Sequence, residues 1–226
     1  MGLNIDKAYV GSSEVDKIYL GTNLVWQALE PGIPVEGAPN GVYILHTNGT
    51  LYTREQWNTS YNQDVVGIAL VSDNCKFVIA TIESEDRIIW SESSELVANV
   101  TTASAKSEAI KDYNGINNTN ALISKYGDSI DHAAGWCNNH TFKNGSKGYL
   151  GALGEWMEVF NNISDINQCI TLIDATVIET TSSTHDYYTS TQFNASRAWG
   201  FNFKSEDSVA SMKSMDEYIR PFAPLT

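Results

Sequence analysis

The chain has 226 residues, 42% of them hydrophobic and 11% aromatic, enough to build one large domain around a sizeable core. Its 27 acidic residues against 14 basic ones leave a net charge of −13, which argues against nucleic acid, because phosphate binding draws on clustered Lys and Arg. No apolar run approaches the roughly 20 residues that span a bilayer, and Cys75, Cys137 and Cys169 are too few and too scattered for a disulfide framework, so reduced, buried thiols are expected.

The opening MGLNIDKAYV has no basic segment followed by an apolar run, so it does not read as a secretory signal, and synthesis in a cytoplasm is expected. Residues 5–15 and 15–25 are two copies of one unit, IDKAYVGSSEV and VDKIYLGTNLV, each a short β-type run ending at Gly with a small polar pair. Two copies predict a small hairpin over residues 1–28. Two strands alone are marginal in water, so this piece either extends the main sheet or docks on another protein. Residues 29–40, rich in Pro and Gly, read as a linker.

From Gly41 the pattern changes. Val42 to Leu45 reads as a strand, Asn48-Gly49 as a hairpin turn and Leu51-Tyr52 as the return. The β-branched runs 65–71 and 77–82 flank the turn-like Ser72-Asp73-Asn74 and predict a second hairpin, with Ile88-Ile89-Trp90 beyond. A helix is expected over 103–113, stopping at Asn114-Gly115, and short helical turns over 119–126 and 131–140. Leu153, Trp156, Met157 and Phe160 fall on one helical stripe, and Ile163, Ile166, Ile170 and Ile173 repeat it. Near the C-terminus, Trp199, Phe201 and Phe203 alternate with Gly200, Asn202 and Lys204, which predicts a strand with one core face and one free face. Strands, then helices, then strands is an α+β order.

Few residues suggest chemistry. His132, Cys137 and His140 have a spacing that brings metal ligands together, but no fourth ligand is placed, so Cys137 is expected to pack inward and the histidines to face solvent. Glu83, Glu85 and Asp86 lack the glycine and oxygen spacing of a calcium loop and read as a solvated turn. There is no G-x-S-x-G, P-loop or dinucleotide fingerprint, and His185 beside Ser183, Thr184 and Asp186 is no more than a compositional coincidence. Neither catalysis nor a cofactor or metal is expected.

The C-terminal frame YYTSTQFNAS, AWGFNF, V-x-x-x-K and YIRPF resembles the variable region of proteins diversified by retroelements, of the kind carried by gut (Bacteroides-type) phages. DYNGINNT at 112–119, AAGWC at 133–137 and GYLGALGEW at 148–156 extend the likeness over most of 41–226. The resemblance implies a C-type-lectin-like domain, related to the formylglycine-generating fold, whose paired cysteines near the C-terminal region have no counterpart after Cys169. It implies scaffold positions at Ser190, Thr191, Trp199, Phe203, Tyr218, Arg220 and Pro221. It also implies a ligand-binding face of Asp186, Tyr187, Ser196, Arg197, Gly200, Ser205, Glu206, Asp207, Ala210, Ser211, Met212, Ser214, Met215, Asp216 and Glu217, where substitutions accumulate. By the same resemblance the partners are a host-surface protein or glycan and, through residues 1–28, other virion proteins, with the chain at the virion surface on a tail or tail fibre. A homo-oligomer such as a trimer would suit a virion tip, although no heptad is visible. The alternatives are a fixed lectin-like structural protein that fills a place in the particle and, less favoured, an enzyme of the formylglycine-generating kind.

Overall fold

The computed structural model describes residues 8–10, 12–15, 17–27 and 31–226. Ala8–Val10 (β1) pairs with Ser13–Val15 (β2), and Lys17–Leu20 (β3) with Asn23–Gln27 (β4), both antiparallel. Each copy of the repeat therefore closes its own hairpin, where the sequence suggested one hairpin from both copies. Gly21 sits at φ 65 in the second turn, a left-handed conformation that glycine reaches without strain. Among the described residues neither ladder joins a larger sheet.

Of the segment 29–40 expected as a linker, residues 29 and 30 lie outside the described residues and the described part contributes a short strand to the main sheet. Ile33–Pro34 (β5) pairs with Thr50–Tyr52 (β7), which in turn pairs with Gly41–His46 (β6). A 3-10 turn, Thr59–Asp64, leads into Val65–Val71 (β8), followed by Lys76–Ile79 (β9) and Ile88–Ile89 (β10). Pro is tolerated in β5 because that strand lies at the sheet edge, where one side of its backbone has no partner.

The helical half holds Lys106–Ala109 (α1), Gly115–Tyr126 (α2), Ala133–Asn139 (α3), the short strand Tyr149–Leu150 (β11), Leu153–Asn161 (α4) and Ile163–Leu172 (α5). Only one turn of the helix expected over 103–113 forms, and Asn114-Gly115 starts α2 instead of ending α1. Glycines in the central motifs mark close backbone approaches. A Cβ on Gly135 would fall 1.8 Å from the Ser129 carbonyl oxygen, and one on Gly154 would fall 2.5 Å from that of Asp112.

Tyr187–Gln192 (β12), Arg197–Asn202 (β13) and Asp207–Met212 (β14) form a three-stranded sheet with β14 at its edge. Asp216–Glu217 (β15) pairs with β10, and Pro221–Pro224 (β16) enters the seven-stranded sheet, whose order is β11-β16-β9-β8-β6-β7-β5. The main core lies between that sheet and helices α4 and α5, where Phe77 and Phe222 stack at 4.7 Å and Trp156 stacks on Tyr187 at 4.9 Å. Every residue of β8 is buried, because Ile33, Val35, Ala38 and Phe142 cover the far face of the sheet. The architecture is α+β and mostly antiparallel. Among the described residues no helix is long and apolar enough to cross a membrane.

Candidate functional site

The C-terminal sheet is held by buried polar side chains from distant parts of the chain. Asp112 accepts hydrogen bonds from Thr101 Oγ1 at 3.0 Å, Thr191 Oγ1 at 2.7 Å and Asn118 Nδ2 at 2.9 Å, and Asn118 also reaches Ser190 Oγ at 3.2 Å. Ser190 and Thr191 have no exposed surface, so these hydroxyls serve as interior anchors. Gln192 bonds the backbone of Val97 in both directions and accepts a bond from Lys213 Nζ at 2.7 Å. Lys213 is itself buried, donates to the Glu95 carbonyl at 2.7 Å and lies 4.3 Å from the centre of the Trp90 ring. Burial lowers its pKa to about 8, against the opposing charge of Glu95.

These anchors fix the loop from β14 to β15. The Lys213 backbone is bonded on both sides, its N–H to Ser196 and its carbonyl to the N–H groups of Trp90 and Ser91. The Tyr188 hydroxyl is shared between the carbonyls of Met212 at 2.5 Å and Met215 at 3.0 Å. Between and beside these pinned points Met212, Ser214, Met215 and Asp216 project outward, with Met212 50% and Met215 46% exposed. Arg197 lies opposite Met212 in the ladder, with Ser196 beside it, and both are exposed. Ser205, Glu206 and Asp207 are exposed at the other end of the hairpin, where Asp207 pairs with Lys106 of α1. Ala210 and Ser211 are half-buried along the edge strand.

Four of the expected face positions do not project freely. Tyr187 is fully buried, with its hydroxyl donating to Glu83 at 2.6 Å and accepting from the Glu179 N–H at 3.1 Å. Gly200 is buried 3.1 Å, by its notional Cβ, from the Tyr187 carbonyl. Glu217 is only 4% exposed and accepts a bond from Ser211 Oγ at 3.1 Å, and burial followed by the charge of Asp186 raises its pKa to about 7. Asp186 is half-buried and accepts from Asn202 Nδ2 at 2.5 Å. The strand face opposite Trp199 is likewise not free, because Tyr188 and Ala198 pack there into a cluster with Trp90 and Ile219.

The remaining chemistry is also structural. Arg220, with no exposed surface, donates to the carbonyls of Ala80, Thr176 and Val177 and pairs with Glu83 at 2.8 Å. Glu83 is therefore not part of a solvated turn, although Glu85 and Asp86 are exposed. Burial alone would raise the Glu83 pKa. His185, the Arg220 charge and the Tyr187 hydroxyl outweigh that and hold it at about 2. His185 stacks on Tyr218 at 3.6 Å with its Nε2 3.3 Å from Glu83 Oε1, and among the described residues its ring has no hydrogen bond to Ser183 or Thr184. His132 does not face solvent: it caps α3, with Nδ1 accepting from the Gly135 N–H and Nε2 3.0 Å from the Gly127 carbonyl, while Cys137 is buried as expected. Cys169 is buried, Cys75 is half-buried, and all three thiols are unpaired.

Beside the β13–β14 turn lies an open groove of about 740 Å3, walled by α5 on one side and by Phe203, Lys204 and Glu206 on the other. Sequence reasoning named Glu206 as a face position but missed α5, because the residues that α5 turns to the groove, Ser164, Asn167, Gln168 and Thr171, carry no charge or motif to single them out.

No protein-family model matches the chain, and no curated protein matches it. A solved structure of a fimbrial protein from Bacteroides ovatus ATCC 8483 resembles it, with a TM-score of 0.57 and 12% sequence identity over 82% of this chain. The chain spans 48% of that protein's length. At this identity the likeness concerns the fold alone.

Proposed function

We propose that the chain is a ligand-binding module of a surface-displayed assembly, a receptor-binding or adhesion protein on a phage particle. In this reading residues 41–226 are a C-type-lectin-like domain whose C-terminal face is diversified to recognise a host-surface protein or glycan. The observation that carries it is the alternation at 212–214: Lys213 is sealed inside, bonded to Gln192 and Glu95, while Met212 and Ser214 on either side point outward. A backbone pinned by buried polar anchors lets exposed side chains change without loss of the fold, which is what a variable binding surface requires. The exposed members of the face are then Ser196, Arg197, Ser205, Glu206, Asp207, Met212, Ser214, Met215 and Asp216, with Ala210 and Ser211 at their margin. Exposed Val10, Tyr19 and Leu20 on the two hairpins support docking of residues 1–28 to other virion proteins, since two-stranded ladders need a surface to pack on.

The fimbrial likeness favours a second reading, a fixed component of a surface fibre. Sequencing the same gene from sister isolates separates the two. Differences concentrated at the exposed positions support diversification, and differences scattered evenly over 41–226 would sink it.

A further inference from the structure

We propose that the groove between α5 and the β13–β14 turn is a carbohydrate subsite that takes a neutral pyranose ring. This rests on the ligand-binding reading above and assigns it a ligand class. A pyranose presents a face of C–H groups and a rim of hydroxyls that both donate and accept. Its seat therefore needs an apolar floor with neutral hydrogen-bonding side chains around it.

The groove supplies both. Phe160, Ile163, Leu172 and Phe203 contribute apolar surface, and the volume of about 740 Å3 lies within the range of small-molecule sites, roughly 300 to 1,000 Å3. The stripe that α5 turns toward it, Ser164, Asn167, Gln168 and Thr171, follows i, i+3, i+4, i+7 spacing and consists entirely of hydroxyls and amides. The polar face of a surface helix is ordinarily laced with charges, yet Asp165 is the sole charged residue of α5. Asn167 is committed to the backbone of Ile178, which fixes the 172–180 loop at the end of the groove. Among the described residues Gln168 bonds only through its amide nitrogen, to Ser164 on the same helix, which leaves its carbonyl oxygen for a ligand hydroxyl.

The facing wall completes the pattern. The Lys204 and Glu206 side chains make no hydrogen bond or ion pair among the described residues, so the turn offers one donor and one acceptor. Asn202 Oδ1 accepts the Ser205 N–H at 2.9 Å and holds the turn in place, with Glu206 at φ 55. The groove does not select for an acidic ligand, since Arg54 is paired with Glu55 and the Lys204 and Glu206 charges on the facing wall offset each other. An extended peptide would need an open strand edge in the wall, and the groove is built from a helix and a turn.

The test is a nuclear magnetic resonance titration of the full-length 15N-labelled chain with the methyl glycosides of glucose, mannose, galactose and N-acetylglucosamine, and separately with an extended pentapeptide. The expected result is a saturable shift by at least one glycoside of amides in 164–172 and 204–206. Gln168→Leu, with unchanged melting, should weaken that binding about tenfold, and Lys125→Ala, on α2 and outside the groove, should keep it within about twofold. The proposal is overturned if no glycoside shifts α5, if the shifts ignore Gln168→Leu, or if only the pentapeptide produces them. Glycoside binding lost in an Arg197→Ala, Met212→Ala double variant of the exposed face but kept in Gln168→Leu would overturn the groove and leave the broader binding reading standing.

Discussion

Arg220 and Glu83 meet at 2.8 Å across 137 residues of sequence, with the guanidinium wholly buried and the carboxylate only 13% exposed. The pair ties the start of β16 to the loop after β9, and the remaining guanidinium bonds to Ala80, Thr176 and Val177 tie the 172–180 loop to both. Removing one partner of such a pair leaves an uncompensated buried charge. Glu83→Gln should therefore lower unfolding free energy by about 3 kcal/mol, the lower end of the range for breaking buried pairs, as measured by urea denaturation.

The same carboxylate sets an acid limit. Its folded pKa of about 2 lies below the ordinary 4.5, so its contribution is complete above about pH 4.5 and disappears as pH falls toward 2. Stability curves of the native chain and Glu83→Gln should converge over that window. Parallel curves would show that Glu83 is not ionised in the fold.

Glu155 titrates in the opposite sense. It is 4% exposed at the start of α4, accepts the Ala152 N–H at 2.7 Å and lies 2.9 Å from the Tyr149 hydroxyl, which donates to it. Burial raises its pKa from 4.5 to about 8 despite those bonds. The folded state then holds a proton that the unfolded state releases, so stability should fall as pH rises from about 4.5 to 8. Glu155→Gln copies the neutral form and should remove most of that slope, up to about 1.4 kcal/mol per pH unit, leaving a smaller one from Glu217. Urea melts at intervals across this range check it, and an unchanged slope in the variant would refute it.

Much of this architecture was legible in the sequence where the signal is local. The stripes of α4 and α5, the Asn48-Gly49 hairpin and the alternation of Trp199, Phe201 and Phe203 depend on periodicity and turn chemistry. The failures share a physical cause, which is partnership over long separations. Tyr187 looked exposed because nothing nearby announces Trp156, Glu83 or Glu179 as its neighbours. All six residues of β12 are buried, so no period-two pattern marks one face as free. Glu83 looked solvated for want of a visible Arg220. Residues 29–40 looked like a linker because Pro and Gly give no hint that Ile33 lies opposite Leu51.

That last placement predicts two different truncation outcomes. A chain starting at residue 31 loses both hairpins, which share no ladder with the main sheet, and should keep a melting temperature near that of the full chain. One starting at residue 39 also loses β5 and the contacts of Ile33, Val35 and Ala38 on the far face of the sheet. It should be destabilised by about 2 kcal/mol, the low end of the range for losing large aliphatic side chains, because Ile33, Val35 and Ala38 are partly buried. Equal stability of the two fragments would contradict the docking of β5.

The separation of frame from face is tested most directly by saturation mutagenesis of residues 186–220 with a folding readout, such as protease resistance on a display platform. Ser196, Arg197, Ser205, Glu206, Met212, Ser214 and Met215 should accept most side chains within about 0.5 kcal/mol. Tyr187, Tyr188, Trp199 and Phe203 should cost about 3 to 5 kcal/mol on truncation to Ala, and Gly200, Lys213 and Arg220 should tolerate almost nothing. The account is contradicted if Met212, Ser214 and Met215 prove as intolerant as Lys213 between them, or if Tyr187 varies as freely as Arg197.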